Sequence, residues 1–253
     1  METNAKIIHK EIVASGVKEV NWNRLLRLGG MAALGTVLVG IIEIMITFLP
    51  GGNVVSKTVY DWFALFEHNT FMGLRNLGLL NIFFTALGIP TFFALYGAHR
   101  RVDQTTAALA MIISLSGAAV FFATNRAFAM LDISNQYWLA ADEMQRAMLA
   151  AAGQAMLSVG QSHTPGTFIA FFLVEFAGFL MSIVMFNGKI FSKLNGIIGI
   201  LSFTSMLVFE FCTSFIPALH TVATISVMIG GILSIVWGIL TGLKLFQLAR
   251  SGE

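Results

Sequence analysis

The chain is poor in charged residues and contains a single cysteine. Only 11% of its 253 residues are Asp, Glu, Lys or Arg, whereas soluble domains carry about 25%, so an ordinary soluble protein is excluded. Because Cys212 is alone, an internal disulfide and a cysteine metal cluster are excluded as well. We interpret Cys212 as a small buried hydrophobe. The net charge of +2 is too small to indicate nucleic acid as a partner.

Apolar runs fill most of the sequence, and 57% of the residues are hydrophobic. A membrane span needs about 20 mostly apolar residues. Six segments meet this requirement: residues 28–50, 72–98, 105–125, 166–187, 194–217 and 219–246. The sequence therefore predicts one all-α, polytopic integral membrane helix bundle with six transmembrane helices, and the lipid bilayer is its main partner.

The basic residues predict the orientation of these spans. With the N-terminus in the cytoplasm, eleven of the 15 Lys and Arg residues fall on the cytoplasmic side. The other four are Lys57, Arg75, Arg126 and Arg146. This bias is the one that the positive-inside rule describes. We expect a multi-pass protein of the plasma (inner) membrane with both termini cytoplasmic, including a short tail at residues 247–253.

Two amphipathic helices are expected outside the spans. The first covers residues 1–27, where lysines flank an apolar stripe, and it should lie on the cytoplasmic surface. The second covers residues 139–161 in the long outer loop. Its apolar stripe consists of Met144, Ala147, Met148, Ala151 and Ala155, which recur at helical spacing. A loop of this length inside a compact membrane protein is commonly a functional lid.

Three glutamates lie inside the predicted spans: Glu43, Glu175 and Glu210. A carboxylate in a span costs about 2.5–3.5 kcal/mol on insertion scales, so it usually faces the bundle interior and has a partner. At 1.5 Å per residue, all three lie roughly 9–14 Å below the outer ends of their spans. These glutamates therefore predict a polar pocket in the outer leaflet.

Other polar residues are expected near the same depth or just above it. Asn81 and Asn125 would line the pocket, and Arg75 and Arg126 would supply counter-charges. Three histidines, His68, His163 and His220, lie in outer loops or at span ends. Together with the glutamates they are the candidate ligands if a metal is bound, since Glu and His suit iron, zinc or manganese.

Three interpretations of these residues stay open. The pocket binds or translocates a small solute, a proton or an amphiphile. Alternatively, the protein is an intramembrane metal-dependent enzyme, or a structural subunit whose buried Glu and Arg pairs only stabilise the bundle. The sequence contains no H-E-x-x-H, P-loop or G-x-S-x-G motif, so it predicts neither a reaction nor a cofactor. Gly238 and Gly242 form a G-x-x-x-G, which favours packing within the bundle over a homo-oligomer face.

Several stretches carry a resemblance to a known family. The most specific is A-T-N-R-A-F-A-M-L at residues 123–131, followed by S-N-Q-Y at 134–137 and A-A-A-G-Q-A at 150–155. Residues 24–30 and 191–199 add to it. The chain resembles the bacterial and archaeal membrane family called domain of unknown function 4386. The resemblance implies a multi-span fold with an outer amphipathic segment and no assigned activity. It implies that Asn125, Phe128, Met130 and Tyr137 form either a pocket or the docking seam of the outer helix.

Overall fold

The computed structural model describes residues 21–49 and 58–251. These residues form ten α-helices and one 3-10 turn, without a β-strand among them. The helices are α1 (Trp22–Phe48), α2 (Val59–His68), α3 (Thr70–Asn76), α4 (Leu79–His99), α5 (Gln104–Thr124), α6 (Ala127–Leu139), α7 (Glu143–Gly160), α8 (Phe168–Asn187), α9 (Lys193–Phe215) and α10 (His220–Ser251). Six of the helical segments are long and apolar enough to cross a membrane, which confirms the predicted all-α, six-span class.

The six long helices α1, α4, α5, α8, α9 and α10 form a closed ring. Each packs against the next one along the chain, and α10 packs back against α1. Successive helices therefore run in opposite directions, as in other up-and-down bundles. We call the end of the bundle with the α4–α5 and α8–α9 connections the turn face. The opposite end, where α2, α3, α6 and α7 lie, is the cap face.

Glycines let neighbouring helices of the ring approach closely. A Cβ on Gly30 would lie 3.1 Å from the carbonyl oxygen of Gly242, and a Cβ on Gly242 would lie equally close to the carbonyl oxygen of Gly30. Gly238 packs against Val37 of the same helix α1. The G-x-x-x-G of α10 is thus used inside the bundle, against the first span, as small residues commonly are in membrane proteins.

The apolar core of the bundle lies in its turn-face half. Its buried residues include Leu26, Leu95, Met181 and Leu245, each no more than 1% exposed. Glu43 and Glu210 lie near the cap-face ends of α1 and α9, and Glu175 lies in the cap-face half of α8. The glutamates therefore position the candidate site in the cap-face half of the bundle.

A small helical domain, here called the cap, covers the other face. It consists of α2, α3, α6 and α7, which pack on one another around Trp62, Phe63, Phe66 and Met130. Helix α2 begins with a capping box, because Thr58 and Asp61 each accept a hydrogen bond from the other's backbone N–H. The sequence predicted only one helix here, whereas the structure has four.

Two helix bounds differ from the bounds of the predicted spans. Helix α4 begins at Leu79, whereas the predicted span begins at residue 72, because Gly78 has a left-handed backbone (φ 92°) that separates α3 from α4. Helix α1 begins at Trp22, before the predicted span at residue 28, because Asn21 caps it by accepting from the backbone N–H of Arg24. Most of the predicted N-terminal helix, residues 1–20, lies outside the described residues.

The outer-loop helix α7 runs from Glu143 to Gly160, and Asp142 caps its N-terminus. Its buried residues are Ala150, Gly153, Leu157 and Gly160, and Gly153 fits closely against Phe63. The predicted apolar stripe with Met144 and Met148 lies on the other, exposed face of the helix. Helix α10 continues to Ser251 and so includes residues 247–251 of the predicted tail.

Candidate functional site

The best-satisfied charged contact is the ion pair between Glu43 of α1 and Arg75 of α3. The guanidinium contacts both carboxylate oxygens, with Nε 3.2 Å from Oε2 and a terminal nitrogen 2.5 Å from Oε1. It also donates to Thr47 and, at 3.0 Å, to Asn76. The Arg75 side chain is only 7% exposed, and that of Glu43 is 36% exposed. A two-pronged contact of this kind fixes geometry as well as charge, so it fastens the cap to the first span.

The second pair joins Glu210 of α9 to His163, which lies in the connection between α7 and α8. The Nδ1 atom of His163 is hydrogen-bonded to Oε1 of Glu210. Glu210 is fully buried, whereas the His163 side chain is 30% exposed. Among the described residues, Oε2 of Glu210 has no hydrogen-bond partner, and neither does Ser214 Oγ one helical turn further along α9. One oxygen of this buried carboxylate is thus satisfied and the other is not.

Glu175 of α8 lies within electrostatic reach of Glu210. It is partly buried, and it lies on the stretch of α8 whose next turns place Gly178 and Ser182 in the interior. Two carboxyl groups thus lie near one imidazole in this part of the bundle. The cap-face half of the bundle is therefore a locally acidic site with a titratable group at its edge.

Local structure holds His163 over Glu210. His163 has a left-handed backbone (φ 58°), which is uncommon for a residue other than glycine. Its ring stacks on Phe171 at 4.4 Å between centroids and meets Phe209 edge-on at 4.8 Å. The hydroxyls of Thr164 and Thr167 both donate to the carbonyl of Gln161, which closes the connecting loop around it. A strained residue held by many contacts is a frequent feature of functional sites.

Asn81 and Asn125 come together at the boundary between the cap and the bundle. A Cβ on Gly78 would lie 2.9 Å from Ser162 Oγ, 3.3 Å from Asn125 Nδ2 and 3.6 Å from Asn81 Nδ2. Asn125 also donates to the carbonyl of Leu77 and accepts from the backbone N–H of Ala127, both at 3.2 Å. These amides join the start of α4, the end of α5 and the His163 loop.

Arg126 has a different partner from the one that the sequence suggested. It donates to the carbonyls of Ala123 and Asn125 at 2.6 and 3.2 Å, and so caps the C-terminal end of α5 rather than neutralising a glutamate. Cations are favoured there because helix carbonyls at that end have no partner within the helix. Arg126 also packs on Gly160, where a Cβ would lie 2.6 Å from the Cβ of Arg126.

The candidate metal ligands are only partly brought together. His163 and Glu210 are in contact, but His68 and His220 are exposed at the end of α2 and the start of α10. Within residues 21–49 and 58–251, His, Cys, Asp and Glu side chains form no group of three that could hold a metal ion. Of the residues in the family-like motif, Met130 is buried in the cap core and Tyr137 packs on Phe63, whereas Phe128 is 57% exposed.

Sequence reasoning missed several polar groups of the site. Thr47, Ser162 and Ser214 were not among the predicted site residues, because single hydroxyls in apolar runs are common and carry little signal. The signal for two of them was their position four residues after a glutamate, Thr47 after Glu43 and Ser214 after Glu210, since residues at that spacing share a helix face.

The comparisons with known proteins identify the family. A family model described as "Domain of unknown function (DUF4386)" matches residues 33–240, and this match confirms the resemblance drawn from the sequence motifs. Among the curated proteins and among the solved structures, no match to the chain was found.

Proposed function

We propose a function from the site itself, because the chain belongs to the family Domain of unknown function (DUF4386), whose description assigns no activity. The protein is a multi-pass membrane protein that binds protons at Glu210 and moves them across the bilayer, alone or together with a small solute. Glu175 and His163 take part in this proton transport together with Glu210. The observation that carries the proposal is the buried, unpartnered Oε2 of Glu210.

An unsatisfied carboxylate oxygen inside a membrane protein is costly. A buried polar atom without a hydrogen bond costs about 1–3 kcal/mol, and a charged one costs more. A proton on the carboxylate removes the charge and turns one oxygen into a donor. Ser214 Oγ, 7% exposed and equally without a partner among the described residues, lies one turn away on the same helix face. These two oxygens without partners therefore favour a Glu210 carboxyl group that takes up and releases a proton.

The charges around Glu210 support the same ligand. Glu175 and Glu210 carry up to two negative charges, and His163 carries at most one positive charge. A proton or another small cation supplies the remaining balance, because uncompensated charge in the bundle is expensive. The ligand class is thus cationic, and the proton is the member for which Glu and His are the usual carriers.

His163 gives the buried site a route to the cap face. Its ring contacts Glu210 on one side and is partly exposed on the other. Histidine is the side chain that most readily gains and loses a proton near neutral pH. A proton arriving at the cap face passes through His163 to Glu210, which then becomes neutral. We place the cap face outside and the turn face in the cytoplasm of a plasma (inner) membrane. The placement is supported by the basic residues of the turn face, Arg24, Arg27, Arg100, Arg101, Lys189, Lys193, Lys244 and Arg250.

For one pair of the charged residues, a structural role is favoured instead. The Glu43–Arg75 pair fastens the cap and has its charges neutralised, so it fits the bundle-stabilising interpretation. The metal-enzyme interpretation has no comparable observation among the described residues. Elemental analysis of the purified protein tests it directly: stoichiometric iron, zinc or manganese that is lost in Glu210→Gln would replace the proton proposal.

The proton proposal is tested in proteoliposomes with a pH-sensitive dye and an imposed potassium potential. The wild type should carry protons faster than empty liposomes, and Glu210→Gln should lower the rate by at least about tenfold. Glu143→Gln is the matched control, because the Glu143 side chain is 89% exposed in the cap and its rate should equal the wild type's. Equal rates for Glu210→Gln and the wild type, with both proteins folded, would overturn the proposal.

A further inference from the structure

We propose that a second polar site lies in the turn-face half of the bundle, that it binds water, and that it completes the proton path begun at Glu210. The site is a group of side chains from three helices, here called the inner cluster: Ser182 of α8, Asn195 of α9, and Trp237 and Thr241 of α10. The role of the inner cluster in transport rests on the proposed function, whereas its binding of water rests on the geometry alone.

The inner cluster is buried, and two of its polar atoms lack partners. Ser182 and Thr241 are fully buried, Asn195 is 2% exposed and Trp237 is 6% exposed. Within the described part of the chain, Trp237 Nε1 and Asn195 Oδ1 have no hydrogen-bond partner. Buried side-chain polar atoms are nearly always hydrogen-bonded, to protein or to ordered water. Two exceptions in one cluster point to a ligand.

The side chains of the inner cluster converge on a glycine. A Cβ on Gly199 would collide with Ser182 Oγ and would lie 2.6 Å from Trp237 Nε1, so the hydroxyl and the indole N–H share one small space. Asn195 Nδ2 donates to Thr241 Oγ1 at 3.2 Å. Asn195 lies four residues before Gly199, and Thr241 four residues after Trp237, which places this bond about 6 Å along the helices from the glycine.

The chemistry of the unpartnered atoms identifies the occupant as water. The indole N–H can only donate a hydrogen bond, and an amide oxygen can only accept. Water can accept from the indole N–H and donate to the amide oxygen, so one molecule or a short chain of molecules satisfies both atoms in a small space. The cluster contains no charged side chain, so it selects no ion. Buried water typically makes about three hydrogen bonds to polar groups that otherwise lack partners.

Helix α9 connects the inner cluster to Glu210. Asn195, Ser202 and Glu210 are all buried along this helix, and Ser202 Oγ donates to the carbonyl of Gly230 at 2.9 Å. Between Ser202 and Glu210, Phe203 fits into the space left by Gly178, and Met206 into that left by Gly230. Because Gly178 lies beside Phe203 and the two helices are antiparallel, Glu175 lies at the level of Met206. The path therefore consists of two polar sites with Glu175 and these apolar side chains between them.

This arrangement assigns each site a step. Glu210 receives the proton from the cap face and is neutral until it releases it. On release, the proton passes by way of Glu175 to water at the inner cluster, the carboxylate of Glu210 regains its charge, and the inner cluster stabilises that water before the proton leaves at the turn face. Bonds to hydrogen form and break only at oxygen and at the ring nitrogens of His163, so no redox partner is needed.

Hydration is tested first, by NMR on the detergent-solubilised protein with labelled indole nitrogens. The Trp237 N–H signal is assigned as the one that disappears in Trp237→Phe. We expect a cross-peak between this proton and water, and rapid exchange into deuterated solvent. An indole proton without a water cross-peak that exchanges as slowly as the buried backbone amides would overturn the hydrated site.

Transport is tested second, in the proteoliposomes described above. Trp237→Phe keeps an aromatic ring at this position, although a smaller one, and removes the N–H. It should lower the proton rate at least about fivefold if water held by this group serves the path. The matched control is Trp138→Phe in the cap, whose indole donates to the carbonyl of Phe63 and whose rate should equal the wild type's. Asn195→Leu, which removes the other unpartnered atom, should reproduce the loss.

The outcomes separate the two proposals. If Glu210→Gln abolishes transport while folded Trp237→Phe and Asn195→Leu carry protons at the wild-type rate, the inner cluster is not on the path and Glu210 remains. If Glu210→Gln has no effect, the proposed function fails. The path then fails with it, and the NMR result alone decides whether the inner cluster binds water.

Discussion

Glu43 and Glu210 are the same residue type in similar apolar runs, yet the structure treats them differently. Glu43 is partly exposed and contacts a permanently charged guanidinium through both oxygens. Glu210 is fully buried, contacts a histidine through one oxygen, and leaves the other without a partner among the described residues. A carboxylate with two strong contacts holds elements together, whereas one with a titratable partner and a spare oxygen can change its protonation state. The comparison indicates that the partner of a glutamate, rather than its depth in the bundle, distinguishes a structural ion pair from a candidate functional site.

The largest expected effect is on stability, from Glu43→Gln. This change leaves the 7% exposed Arg75 side chain without its carboxylate and should lower the free energy of unfolding by about 3–5 kcal/mol. Glu210→Gln should cost far less, because it removes a charge that is not fully compensated. Thermal melts of both variants in the same detergent check this. Equal melting temperatures would contradict the expected difference between the two glutamates.

The next prediction tests the Glu43–Arg75 pair with a double mutant. Arg75→Met in the Glu43→Gln background removes the charge that the first change leaves buried. We expect it to restore part of the lost stability, with a coupling energy of about 0.5–3 kcal/mol from the double-mutant cycle. Additive losses would show that the two side chains stabilise the cap independently of one another.

A smaller effect is expected from the loop that holds His163. A Cβ on Gly166 would collide with the carbonyl of Ser158 and lie 2.8 Å from that of Val159, so Gly166→Ala must shift the backbone. We expect a loss of about 1–3 kcal/mol together with slower proton transport, because the loop positions His163. Gly88→Ala is the control, since no atom lies within 4 Å of its added Cβ. Identical transport in Gly166→Ala and Gly88→Ala would argue against a role for the loop.

The smallest effect is expected at an exposed pair in the cap. Glu143 and Arg146 approach to 3.2 Å with side chains 89% and 41% exposed. Such surface pairs contribute little to stability. Glu143→Gln should therefore melt within experimental error of the wild type. A clear destabilisation would mean that the cap depends on surface charges, which the buried contacts of Phe63 and Met130 do not suggest.

The spans were predictable from sequence because length and hydropathy decide them. The second span shows where such reasoning ends: it was predicted from residue 72, but the left-handed backbone of Gly78 separates α3 from α4, which begins at Leu79. The cap was largely missed for a related reason. Its helices are short, and they bury their apolar faces against one another rather than against the bundle.

The pairing of charges could not be predicted from sequence. Arg75 and Arg126 both lie near the expected outer ends of spans, so either was a reasonable partner for a glutamate. The structure separates them through the direction of the chain at each place: α3 turns Arg75 toward α1, whereas Arg126 folds back on the end of α5. His163 reaches Glu210 because its loop reverses between α7 and α8, and no spacing rule encodes such a contact.

The closed ring has a consequence for biosynthesis. Each long helix packs against the one made just before it, so five of the six contacts can form in the order in which the spans leave the ribosome. The sixth cannot, because the backbone of Gly30 in the first span meets that of Gly242 in the last. Until α10 is inserted, that face of α1 stays open to lipid or to a chaperone. A stop codon late in the message would therefore leave the first span exposed as well as removing the last.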